Sequence, residues 1–270
     1  MMARNAAVFA LYSLVALVFL SPITAMLNLG LRDDRYITVI AAPAIFAALM
    51  YWDRRRIFSH VNWDPAVGLP LLVIALSVWP FLFLHNTISN PDTHLNLAGL
   101  TIVVAGAGAF TLCYGRQSLA AAAFPFFCLL LAVPLPAWIM DRVTTALQHG
   151  SAATSVAMLR FFGIPVFAQD THLSLRGLDV EVAPECSGIR SCLSLLLIII
   201  VVSRVGLRSN ISRLVLILST IPLAIVKNAF RISVIATLSA YVDHAYINSP
   251  IHHYGGFVFT PLQIAILAAL

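Results

Sequence analysis

The chain has 270 residues, 60% of them hydrophobic and only 10% charged, with a formal net charge of +5. A soluble domain of this size carries about 25% charged residues, so the composition excludes an ordinary cytosolic globule and calls for lipid-facing surface. A positive surplus in such a chain belongs in cytoplasmic loops, and no basic tail or aromatic-basic patch suggests a nucleic-acid partner.

A membrane helix needs about 20 apolar residues. On that criterion eight spans are predicted, at 6–29, 37–51, 66–84, 95–114, 118–140, 186–203, 214–241 and 252–270, the second being short. The first apolar run is long and no hydrophilic mature domain follows it, so it reads as a span and not as a cleavable signal. The expected fold is an all-α polytopic membrane protein with about eight transmembrane helices. It forms a single integral membrane domain, 1–270, with an outer loop at 141–185. Arg4, the run Arg54, Arg55 and Arg56, then Arg116, and then Arg204, Arg208 and Arg213 fall in loops on one side. By the positive-inside rule that side is cytoplasmic, which predicts a multi-pass protein of the cytoplasmic (inner) membrane.

The outer loop has structure of its own. Residues 142–162 are helix-compatible, for a helix lying along the membrane surface or dipping into it. Residues 172–182 then alternate apolar and polar side chains around Arg176 and Gly177, the pattern of a small outer-side β-hairpin. A hairpin there offers an edge for an extended substrate. It leads directly to Cys186.

Four cysteines are present. Cys113, Cys128 and Cys192 lie within apolar runs and read as small buried residues. No spacing of Cys and His suggests a metal, and no cofactor is expected. Cys186 differs, because it stands where a polar loop meets an apolar run. Arg231 interrupts the seventh span, where a charge costs roughly 2.5–3.5 kcal/mol on insertion scales. Lys227 lies four residues before it on the same helix face, with Asn228 beside it. His252 and His253 open the eighth span. The loop charges bring the thiol, the cation and the histidines to one outer side. A thiol must ionise to attack a carbonyl. A helix start over 184–188, the Arg231 guanidinium and a histidine base all favour that. Backbone N–H groups of residues 187–189 are candidate oxyanion donors. Glu185 and Asp179 are near enough in sequence to orient a base.

Other readings fit these residues. One is a membrane hydrolase or acyltransferase that uses a histidine and not the thiol. Another is a non-enzymatic transporter or polysaccharide-export factor, although no Asp or Glu lies deep within a confident span. A third is a site that binds a signal tail without cleaving it.

Three blocks in order narrow the field. They are Cys186, Ser187 and Gly188; Asn228 and Arg231; and His252 and His253 ahead of Gly255 and Gly256. Across about 163–259 the chain resembles the exosortase/archaeosortase family, membrane cysteine transpeptidases that process C-terminal sorting signals of secreted proteins. The resemblance implies that Cys186 is the nucleophile, forming a thioester, and that Arg231 positions substrate or stabilises the oxyanion. It implies a proton-transfer role for His252, whose spacing to Gly256 fits, with His253 as the alternative. Ser187, Gly188 and Asn228 support the site. Glu185 departs from the family, which has a small residue beside the cysteine. The implied partners are secreted proteins ending in a motif, a hydrophobic helix and a basic tail. A membrane lipid or an amine would be the acceptor, and the active site would face outward.

Overall fold

The computed structural model describes residues 2–84, 91–207 and 209–243. The chain is mostly helical and divides into two compact units, 1–137 and 138–270.

The first unit holds α1 (Met2–Val18), α2 (Leu20–Arg32), α3 (Ile37–Trp52), the short α4 (Arg54–Ile57), α5 (Pro65–Leu84), α6 (Pro91–Ala121) and α7 (Ala123–Leu130). Helices α1 and α2 meet at a bend of 74°. Pro22 lies in the first turn of α2 and cannot donate to the carbonyl four residues back, so the run predicted at 6–29 breaks at the buried Phe19. Helices α5 and α6 pack backbone to backbone. A Cβ on Gly68 would stand 2.3 Å from the Leu112 nitrogen, an approach that only a small residue permits. Phe110, Tyr114, Phe126 and Phe58 interlock as edge-on and tilted rings in the core of this unit, beside the buried Cys113.

Among the described residues, Thr93–Ala121 and Asn210–Tyr241 are each long and apolar enough to cross a membrane. The bent pair in α1 and α2 makes a third if it counts as one span. The predicted span at 118–140 is not a single helix. Helix α6 ends at Ala121, α7 has only 8 residues, and the chain leaves helix before α8 (Ala137–Phe161). Pro134 and Pro136 explain the break, since neither can donate a helical hydrogen bond. Phe126 and Cys128 of this stretch are enclosed in the first unit, while Phe127, Leu130, Leu135 and Trp138 are exposed.

In the second unit the helix expected at 142–162 is present as α8, which begins earlier, at Ala137. Three short strands follow: β1 (Phe167–Gln169), β2 (His172–Leu175) and β3 (Leu178–Glu181), in the order β1-β2-β3. Strands β2 and β3 pair antiparallel across Arg176 and Gly177, with Leu175 opposite Leu178. Strand β1 adds a further antiparallel pairing, Phe167 opposite Ser174, beyond a simple hairpin. Helices α9 (Ile189–Gly206) and α10 (Asn210–Tyr241) then pack antiparallel, with Leu195 and Ile199 against Leu216, Ile217 and Leu223.

Helix α8 buries Met140, Thr144, Leu147, Ser151, Ser155 and Leu159, a stripe of helical period along its length. That stripe meets α10 through small residues. Gly150 faces Ile225, Ser151 meets Asn228, and Ser155 reaches Ala229 and Ser233. Both numbers rise together, so the two helices run in the same direction through this contact. At 25 residues and 1.5 Å per residue, α8 is about 37 Å long. Its end packs with Leu173, Val182, Ile232 and Ala236 in one apolar cluster that ties the sheet to α10. Each fully buried side chain of this kind contributes about 1.5–3 kcal/mol.

Candidate active site

Cys186 closes a single 3₁₀ turn, Pro184–Cys186, with its N–H donating to the Ala183 carbonyl at 2.8 Å. Helix α9 begins only at Ile189. The thiol residue therefore precedes the helix by three positions instead of opening it, and the dipole of α9 is weaker there, as it falls off within a turn. Gly188 makes the connection with φ +81°, a left-handed conformation that an L side chain adopts at a cost of about 1–2 kcal/mol. Space also demands glycine, because a Cβ there would stand 3.0 Å from Cγ of Asn228.

Asn228 is the hub of the site. It is 1% exposed, and its Nδ2 donates to the Cys186 carbonyl at 2.7 Å and to Oγ of Ser151 at 3.0 Å. The two blocks that the sequence set 42 residues apart thus meet directly. The Ser155 hydroxyl shares its one proton between the Ser151 carbonyl at 2.7 Å and the Ala229 carbonyl at 3.1 Å, continuing the polar seam between α8 and α10. Gln148 donates to the Val182 carbonyl, fixing the chain just after β3. Interhelical hydrogen bonds inside membrane proteins average about 0.6 kcal/mol each. Their larger role here is geometric, since they fix where the cysteine turn sits.

The three candidate oxyanion amides are unequal. The Ser187 N–H donates to the Pro184 carbonyl at 3.1 Å, and the Ile189 N–H reaches Oγ of Ser187 at 3.4 Å. Among the described residues only the Gly188 N–H of this trio has no acceptor. Ser187 itself is 1% exposed, which gives it a packing role in the turn.

Arg231 lies three residues beyond Asn228, on the turn of α10 that adjoins Ile232, and its Nε is buried. Ile232 packs in the same cluster as the half-buried Cys186. Lys227, also buried, lies one turn before Arg231 on α10. The thiol turn and Asn228 therefore meet directly, and Arg231 lies about one turn beyond Asn228 on α10. Asp179 is exposed on β3. His252 and His253 lie outside the described residues.

Sequence reasoning missed Ser151 and Gln148, because it expects a helix there without saying which neighbour that helix meets. The signal was present: Ser151 and Ser155, four apart beside Gly150, form a small-residue seam suited to close helix packing. It also missed a surface pair, His149 Nδ1 and Asp170 Oδ1 at 3.0 Å, which joins α8 to the turn between β1 and β2.

A mostly helical membrane protein that braces a cysteine turn against the polar face of a long apolar helix is the class these features define. The chain belongs to the transmembrane exosortase family, whose sequence profile matches residues 30–269. No curated protein and no solved structure matches it. The family consists in general of cysteine transpeptidases, so a sortase-like transpeptidase role is the coarse function of this chain.

Proposed function

We propose that the chain cleaves the C-terminal sorting signal of secreted proteins and transfers them to an acceptor, with Cys186 as nucleophile. The observation that carries this reading is the hydrogen bond from Asn228 to the Cys186 carbonyl, which joins the Cys-Ser-Gly turn to the helix face bearing Arg231. In the first step the thiolate attacks the scissile carbonyl carbon and the C=O pair moves to oxygen. Arg231 and a backbone amide stabilise that charge. The intermediate collapses as the C–N bond breaks, and His252, or His253 in its place, gives a proton to the leaving amine. The acyl group stays on Cys186 as a thioester. An amine or a lipid headgroup then attacks it and restores the thiol, giving anchorage, while water gives cleavage alone.

The site faces the outer side of the cytoplasmic membrane in this reading. Helix α8, running with α10, takes the place of the crossing expected at 118–140, so Cys186 stays on the outer side that the loop charges assign. The substrate's hydrophobic helix would lie beside the spans, its basic end inside and its motif near Cys186.

The test is the intact mass of tail-bearing secreted proteins from cells with the wild-type chain or Cys186→Ala. The reading requires a shortened product with the wild type alone, and the product mass identifies the acceptor. Equal shortening with both would move the chemistry to a histidine. An unshortened partner that still co-purifies would make the chain a tail-binding or export factor.

A further inference from the structure

We propose that Ser151 is a positioning residue for the cysteine turn, acting through Asn228, and that the amide it sets in place is the Gly188 N–H, the backbone donor to the oxyanion. The inference rests on the proposed Cys186 chemistry and deepens it. Ser151 is fully buried on α8. Its Oγ accepts one N–H of the Asn228 amide at 3.0 Å, while the same Nδ2 donates to the Cys186 carbonyl at 2.7 Å. A carboxamide nitrogen has two N–H bonds, and these two acceptors fix the plane of the amide. With its rotation fixed, the amide supports the turn on two sides. It holds the Cys186 carbonyl, and it lies against the Cα of Gly188, where a Cβ would meet Cγ at 3.0 Å and Oδ1 at 3.2 Å.

That clamp decides which amides can act. Ser187 and Ile189 use their N–H groups within the turn. Gly188, in the left-handed conformation, does not. An oxyanion on a carbonyl attacked by Cys186 needs a donor about 2.7–3.1 Å away, and Gly188 is two residues on from the nucleophile. Loss of the Ser151 acceptor frees the Asn228 amide to turn, so the Gly188 N–H loses its fixed aim. Such a change removes neither the Cys186 thiol nor the Asn228 side chain.

Ser155 supplies the control. It is equally buried on α8 and also bonds to α10, but to the Ala229 backbone and not to Asn228. A purely structural role for these hydroxyls predicts that Ser151→Ala and Ser155→Ala behave alike. The experiment co-expresses the full-length chain with an epitope-tagged secreted protein ending in a motif, an apolar helix and a basic tail. It measures pulse-chase cleavage and detergent capture of the uncleaved protein. Ser151→Ala should slow cleavage about tenfold with capture unchanged, because its bond holds the proposed oxyanion donor, and Ser155→Ala should stay within about twofold of wild type, because its bond does not. Asn228→Asp keeps the size of the side chain but sets an acceptor against the Cys186 carbonyl, so it should slow cleavage further. It decides the matter should Ser151→Ala fail to accumulate. Equal slowing by the two serine variants, a fall in capture that matches the fall in cleavage, or wild-type cleavage by Asn228→Asp would overturn the proposal. Cys186→Ala in parallel separates the two claims: cleavage by that variant defeats the thiol chemistry itself, whereas an inactive Cys186→Ala beside a wild-type-like Ser151→Ala defeats only the clamp.

Discussion

Helices α8 and α10 run side by side in the same direction, yet they look nothing alike as sequence. Helix α10 passes a test of length and apolarity for crossing a membrane, although Lys227, Asn228 and Arg231 interrupt it. Helix α8 carries Gln148, His149 and several Ser and Thr residues and fails the same test. The difference lies in what each polar group meets. On α8, Gln148 is satisfied by the Val182 carbonyl just after β3, and Ser151 and Ser155 by α10. Hydropathy reports what a helix offers to lipid. It does not report what a helix offers to its neighbours, and a polar helix is stable in a bundle when its polar groups find partners there.

The sharpest way to break this comparison is topological. In a Cys186→Ala background, a cysteine at Phe162 should react with a membrane-impermeant maleimide added outside whole cells, and a cysteine at Trp138 should not. Labelling of both from outside would return α8 to an outer loop. Next in size is Gly188→Ala. The left-handed φ and the approach of Asn228 act together, so the variant should lose more than about tenfold in cleavage rate by pulse-chase and about 1–2 kcal/mol in stability. Wild-type behaviour would mean that the turn is not held as described.

The seam between the helices gives a smaller effect. Gly150→Leu must displace Ile225, which already stands 3.1 Å from a Cβ at that position, and overpacking of this kind costs about 1–3 kcal/mol. Val226→Ala, on the exposed face of α10, should be nearly neutral. Thermal melts in detergent distinguish them, and equal shifts would deny that the seam is tight. The smallest effect belongs to Asp33. Burial raises its carboxyl, but the Arg35 hydrogen bonds to it outweigh that and leave it below the ordinary carboxylate range. The stabilisation is present above the ordinary carboxylate pKa and is lost as pH falls through the depressed value. Asp33→Asn should cost on the order of 0.5 kcal/mol at neutral pH and nothing at a pH low enough to protonate the native side chain. A loss that persists in acid would point to shape and not charge.

Much of the site was legible because its residues are out of place. An arginine in an apolar run and a cysteine at a polar boundary stand out against composition, and the fold brings their segments together through Asn228. The break at 131–136 was legible in Pro134 and Pro136 but was outweighed by the apolar residues around them. Strand β1 escaped because three residues are too few to show an alternation. The clamp escaped because the small-residue seam marks Ser151 and Ser155 alike, and the role of Ser151 comes from the neighbour that its helix meets. The histidines at 252 and 253 lie outside the described residues and rest on the sequence, through their place at the start of the eighth predicted span and the family pattern.

The most direct test of the central claim is to trap the acyl-enzyme. The full-length chain, acid-quenched during cleavage of a tail-bearing protein, should yield a Cys186 peptide that carries the substrate's newly formed C-terminus. Hydroxylamine should release that adduct, as it does a thioester. Cleavage that proceeds with no adduct on Cys186, and that continues in Cys186→Ala, would contradict the account.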